Sequence, residues 1–370
     1  MLPLLKTLKL SYSFNRTNKK IRLMNKYILT FLTIILSSTS IAAENKTPVE
    51  SPWMIVPLLS SDPKLGTSLG VMGGYLHKFD EQSTQSMFAL MGTYSSTDSW
   101  VSGMFGQMFF DKDKQKLTLG YVGGEIRNDY DDFLGSGISA QTTDNLKAQF
   151  IRYSHSVGNH WYLGAQFVSS NYAIGANGDL SDWLALISLT GFDSAGLGLV
   201  AEYDTRDNLR NPKTGQIFEF NNIAYRESLG GDQSFDVYHA KYSQYLKHGN
   251  NNVFAWQFSG RWTSDAPIGG YSSVQLRGYV KGNYLAPHYT HFDFEDRISF
   301  NETWGMSVFA GLACLYEEAS NCNDSEDLYA SAGAGVIYVL KPEAGIVMRA
   351  ELAKGEADEY VWYLKMGNSF

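Results

Sequence analysis

Along residues 252–264, Val253, Ala255, Gln257, Ser259 and Arg261 alternate with Phe254, Trp256, Phe258, Gly260 and Trp262. Successive side chains of a strand point to opposite faces, so this run has one aromatic face and one largely polar face. Similar runs fall at 53–60, 65–79, 86–95, 100–110, 116–127, 146–156, 160–169, 196–205, 215–226, 234–246, 291–301, 304–317, 329–340, 344–354 and 359–370. Most reach the roughly 9–11 residues with which a tilted strand crosses the apolar layer of a membrane. An aromatic face toward lipid and a polar face toward a lumen is the pattern of a barrel. The expected fold is all-β, a sixteen-stranded antiparallel transmembrane β-barrel over 53–370.

The connectors alternate in length. If the chain enters from the periplasm, the even-numbered connectors are compact (KFDEQST, DKDKQ, GN, NLRNPKTG, KHGNN, NET and KPEA), and the odd ones include the long segments 128–145, 172–195, 269–287 and 319–328. Short periplasmic turns and longer external loops are expected of outer-membrane barrels. A soluble sandwich gives no reason for such asymmetry.

Composition agrees with short strands rather than helices. The 370 residues are 44% hydrophobic and 14% aromatic, with 35 Gly, 23 Tyr and only 18% charged residues. A net charge of -8 without a basic patch argues against a nucleic-acid partner, because phosphate binding needs clustered Lys and Arg. Lys19, Lys20, Arg22 and Lys26 precede an apolar run over 27–36 and the small-residue site Ser40-Ile41-Ala42-Ala43, the order of a secretory signal. Residues 1–43 are therefore expected to be a signal peptide, either with a long n-region or starting at Met24 with an upstream extension before it. Residues 44–52 then form a short periplasmic segment. Past Ala43 no run approaches the roughly 18 apolar residues of a membrane helix, so the strands point to the bacterial outer membrane.

Three stretches carry candidate function. The connector GGYSSVQLRGYVKGNYLAP places Leu276-Arg277-Gly278-Tyr279 among chain breakers, and downstream Asp293, Glu295, Arg297 and Ser299 share one strand face. A loop arginine near inward carboxylates suggests a plug in the lumen. The second stretch is Asp204-Thr205-Arg206-Asp207-Asn208, followed by Pro212 and Gly215, where Asp and Asn side chains favour turns through bonds to the main chain. In the third, Trp362, Leu364, Met366 and Phe370 fall on one face of the last strand, interrupted by Asn368. The chain end resembles outer-membrane barrels in general, and the turn motif of 204–215, Leu276-Arg277-Gly278-Tyr279 and Glu295-x-Arg297 together resemble the BamA/TamA-like barrel superfamily, also called the bacterial surface antigen family, over about 53–370. The resemblance implies a sixteen-stranded barrel whose sixth loop folds into the lumen, with Arg277 paired to Glu295. It implies a terminal aromatic signal read by the barrel assembly machinery, and translocation or membrane insertion and handling of protein or lipid.

The chain departs from the family in two places. Where members carry an acid in a Phe-x-Asp-x-Gly pattern, this chain reads Phe309-Ala310-Gly311-Leu312-Ala313, so one expected partner of Arg277 is missing. Between Ala43 and Trp53 only about ten residues remain, too few for POTRA modules, so a stand-alone barrel is expected. Plainer readings stay open: Arg277 as an ordinary loop charge, 204–215 as a charged turn only, and the whole as a passive pore or structural barrel. An outer-membrane hydrolase is a third reading, raised by Gly66-Thr67-Ser68-Leu69-Gly70, but a nucleophile elbow needs a strand-turn-helix context and this run continues as a strand. No enzyme activity, cofactor or metal site is expected, since His288 and His291 are three apart on an extended segment and face opposite ways. Cys314 and Cys322 bracket a short external loop and are candidates for a disulfide, with free thiols as the alternative. Outer-membrane lipids and lipopolysaccharide are the implied surroundings, and a homodimer is one arrangement open to such a barrel.

Overall fold

A computed structural model describes residues 51–62, 66–130, 140–171, 192–279, 284–355, 360–368 and 370. The expectations for 1–43 and for most of 44–52 lie outside the described residues. The barrel strands are β1 (Trp53–Asp62), β2 (Gly66–His77), β3 (Ser86–Ser95), β4 (Trp100–Phe110), β5 (Gln115–Tyr130), β6 (Ala140–Gly158), β7 (Trp161–Ser170) and β8 (Ser194–Asp204). The second half comprises β9 (Gly215–Tyr225), β10 (Phe235–His248), β11 (Asn252–Ser264), β12 (His288–Ser299), β13 (Trp304–Tyr316), β14 (Leu328–Lys341), β15 (Ile346–Lys354) and β16 (Tyr360–Met366). Each strand pairs antiparallel with its neighbours in sequence, and β16 returns to β1 to close a sixteen-stranded barrel. Closure pairs the sheet edges, as main-chain groups in lipid require, everywhere except along part of the β1–β16 seam.

The alternation seen in the sequence sets which face each residue takes. Leu69, Val71, Leu90, Met104, Leu163, Leu199, Phe254, Phe292, Phe294, Val308 and Leu352 are exposed on the outer surface. On β9 to β12 the intervening residues are buried and polar: Glu219, Asn221, His239, Ser243, Gln257, Ser259, Arg261, His291, Asp293, Glu295 and Arg297. The first half differs. Met54, Val56, Leu58, Met72, Val101, Phe105, Val122, Ile126, Leu146 and Phe150 are buried in one apolar cluster, so much of the inner face of β1 to β6 is apolar, with Lys116, Thr118, Arg152 and Ser154 as the polar part of β5 and β6.

Two boundaries depart from the periodicity. The β5–β6 ladder continues to Tyr130↔Ala140, through residues expected to be loop. Polar sequence there carries no apolar alternation, yet a ladder needs only main-chain donors and acceptors. At the other end β16 stops at Met366, and Gly367 takes φ +94°. Trp362 and Leu364 stay on the face of their cross-strand partners Leu352 and Ala350. Met366 is buried, however, and Phe370 turns against the cluster of Ile217, Tyr245, Val253 and Ala255, so the four residues do not share one face.

The seam between β1 and β16 is short. It pairs only Leu59↔Leu364, Ser60↔Tyr363 and Ser61↔Trp362, whereas β1 and β2 pair from Trp53↔Tyr75 to Asp62↔Gly66. The part of β1 before Leu59 has no ladder partner on the seam side among the described residues. Pro57 lies in this stretch, and proline is tolerated in a strand where its missing N–H faces no partner.

Candidate functional site

The β11–β12 connector folds inward because its own wall holds it. Arg261 on β11 donates to Ser272 Oγ (2.9 Å) and to Gly270 O (2.9 Å). A two-residue ladder, Ser272–Ser273 with Leu285–Ala286, narrows the loop. Val274 and Leu276 then pack with Tyr289, Ala313 and Leu315, flanked by Tyr279, Tyr284 and Tyr329. Gly278 has φ +92°, and a Cβ there would lie 2.6 Å from Gly355 N. No other residue type allows both that backbone and that approach. The Gly278 amide donates to Tyr363 Oη on β16 (3.1 Å), and Tyr279 Oη donates to Ala330 O (2.8 Å).

Arg277 therefore enters a built ionic cluster. Its Nη1 lies 2.7 Å from Glu295 Oε2, its Nη2 3.1 Å from Asp293 Oδ1, and its Nη1 3.5 Å from Glu351 Oε1. The guanidinium carbon sits 3.4 Å from the centroid of the Phe309 ring. Glu295, with a side chain 0% exposed, also receives Arg297 Nε (2.6 Å) and Arg349 Nη2 (2.9 Å), so one carboxylate meets three guanidiniums. Arg349 Nε and Lys365 Nζ each lie 2.9 Å from Glu351, on different oxygens. Buried charges persist only when paired and hydrogen-bonded, and each of these side chains has an oppositely charged partner within 3.1 Å.

The structure brings Arg277, Glu295 and Arg297 together, with Arg297 bonding Glu295 rather than the loop. Asp293, Arg349, Glu351 and Lys365 are partners that the motif reading did not name. Arg349 and Glu351 alternate with Met348, Ala350 and Leu352 along β15, a period-two signal that marks inward charges. The missing acid is explained locally. Gly311 faces Asp293 across the ladder, and a Cβ there would meet Leu276 at 2.7 Å. Leu276 occupies the space an acid would take, while Asp293 and Glu351 supply the charge.

The β8–β9 turn is a second assembly. Arg206 makes a fork with Asp204, Nε to Oδ1 at 2.9 Å and Nη2 to Oδ2 at 2.8 Å. Asp207 Oδ1 accepts from the Lys213 and Thr214 amides, and Asn208 Oδ1 from those of Arg210 and Asn211. Gly215 has φ +98°, with Thr205 O 2.3 Å from where a Cβ would stand. Pro212 O accepts from Arg297 Nη1 (3.3 Å), and Arg297 Nη2 also donates to Phe370 O (3.4 Å). Arg297 thus joins the turn, the ionic cluster and the chain end. A cavity of about 130 Å³ lies beside the turn, bounded by Lys116, Arg152, Arg206, Arg210, Pro212 and Phe370 among others.

The remaining expected residues are quickly placed. Cys314 and Cys322 form a disulfide. Ser68 lies within β2, paired with Ser60 and Ser95, so its surroundings are strands. Asp296, which alternation directs outward, pairs with His248 Nε2 at 2.7 Å. No cluster of metal-ligating side chains occurs among the described residues.

A closed sixteen-stranded barrel with an apolar outer surface, carrying a loop arginine held by carboxylates on its inner wall, defines an outer-membrane type of barrel. The match of the Omp85 superfamily domain to residues 134–370 is then specific: the chain belongs to the Omp85 superfamily. No curated protein sequence matches it. Among solved structures it is similar to CdiB from Escherichia coli (TM-score 0.58, 9% identity, 86% of this chain and 63% of that one). It is also similar to BamA from Haemophilus ducreyi lacking POTRA domains 1-3 (TM-score 0.51, 15% identity, 86% and 70%). CdiB from Acinetobacter baumannii gives a TM-score of 0.54 at 10% identity, over 85% and 59%. The chain spans 59% to 70% of the length of these structures, and at such identity the likeness is one of fold.

Proposed function

We propose that this barrel resides in the bacterial outer membrane and translocates protein or lipid, or inserts it into the bilayer, by opening the seam between β1 and β16. The short turns face the periplasm. The sixth loop, fixed through Arg277, closes the lumen, and catalysis is no part of the role. Outer-membrane lipids and lipopolysaccharide surround the wall, and the barrel assembly machinery meets the chain during biogenesis. The observation that carries the reading is the seam itself, with three ladder pairs where every other join of the described barrel has seven or more. Family membership and the obstructed lumen support movement at the seam over passive conduction.

The test is a reversible lock. Leu59→Cys with Leu364→Cys places two thiols at directly paired positions. In a deletion strain scored for envelope permeability, the oxidised double variant should fail to complement and reductant should restore it. The parent, treated identically, controls for its own disulfide. Full complementation by the cross-linked, folded protein would overturn the seam reading.

A further inference from the structure

In a ring of sixteen strands the β8–β9 turn lies opposite the β1–β16 seam. It nevertheless reaches both flanks of that seam. Arg210 Nη2 donates to Gln85 O (2.6 Å) in the β2–β3 turn, and Nη1 to Ala344 O (3.4 Å) in the β14–β15 turn. The main chain follows: Asn368, just past β16, donates through Nδ2 to Arg210 O (2.6 Å) and to Asn211 Oδ1 (3.2 Å). Gly345 packs on Asn208 so closely that a Cβ there would meet Oδ1 at 2.2 Å.

We infer that residues 205–214 are a clasp, an inner strap that crosses the barrel and holds the two sides of the seam together at the short-turn end, where β1 and β16 lack a ladder. Gln85 belongs to the β1–β3 side and Ala344 and Asn368 to the β14–β16 side, so one guanidinium and its own carbonyl bridge the gap. Spreading the seam separates those acceptors and breaks the bridge. The other residues of the turn preset it: the Asp204–Arg206 fork and the Asx bonds of Asp207 and Asn208 stiffen the strap before it docks. Pro212, through its carbonyl on Arg297, fixes the strap to the ionic cluster that also holds the sixth loop. Arg210 and Asn368 are positioning residues that act through the seam.

This inference rests on the seam reading, and its test measures the seam rather than any cargo. Spin labels at Ile55→Cys and Val336→Cys stand on the outer surface on either side of the gap. Electron–electron distances in reconstituted protein report the open fraction. Arg210→Ala should raise the longer-distance population by about tenfold, as expected for loss of charge-assisted hydrogen bonds. Asn368→Ala should raise it less, and Lys213→Ala, an exposed lysine of the same turn, should not change it. A folded, heat-modifiable Arg210→Ala protein with the parent's distance distribution would overturn the clasp. If the disulfide lock still abolished complementation, the seam reading would survive that failure.

Discussion

Glu295 is the residue on which the lumenal cluster depends. Asp293 meets Arg277 alone among the ion pairs, while Glu295 meets Arg277, Arg297 and Arg349 and is fully buried. Removing one member of a buried pair costs about 3–5 kcal/mol, because the other charge is left uncompensated. Glu295→Gln leaves three guanidiniums facing a neutral amide, and Asp293→Asn leaves Arg277 still paired with Glu295 and Glu351. The expectation is a loss in the 3–5 kcal/mol range for Glu295→Gln, and clearly less for Asp293→Asn. Urea titration of the heat-modifiable folded band measures both. Equal losses would mean that water entering the lumen screens the cluster and that burial has little weight. Arg277→Ala should resemble Glu295→Gln in the loop but not in the wall, since the Arg349–Glu295 and Arg297–Glu295 pairs remain.

At the scale of elements, the β13–β14 loop is closed by Cys314–Cys322 over a separation of eight residues. A loop of that size gains about 2–3 kcal/mol from closure. Cys314→Ser should lower the temperature at which the folded band is lost while leaving seam distances unchanged, as the loop joins β13 to β14 rather than the two strands of the seam. The strands were legible wherever one face was apolar and the other polar, as in β11 and β12. They were less so where the polar ends of β5 and β6 pair through main chain alone, and β16 ends early because Gly367 redirects the chain. The Arg277–Glu295 pair could be read because glycine punctuates the loop and period two marks the strand. Glu351 and Arg349 were readable by the same period but lie more than fifty residues beyond Glu295, and no local pattern states that β15 closes on β12. The reach of Arg210 to Gln85 and Ala344 was not legible at all, since main-chain acceptors have no sequence signature.

For the whole molecule, the two inward assemblies stand in series along one lumen. The sixth loop enters from the long-loop end and is held on β12, β15 and β16, while residues 205–214 cross the short-turn end from β8 to the flanks of the seam. Arg297 touches both, through Glu295 on one side and Pro212 O on the other. On the proposed reading that both close the lumen, opening either alone leaves the other to limit flow. In planar bilayers Arg277→Ala and Arg210→Ala should each conduct little more than the parent, and the double variant should conduct several-fold more than the sum of the singles. Full conductance in Arg277→Ala alone would show that the turn does not obstruct the lumen, leaving it to act at the seam only. Full conductance in Arg210→Ala alone would show that the sixth loop leaves an open path around itself, and that the strap is the lumen's sole barrier.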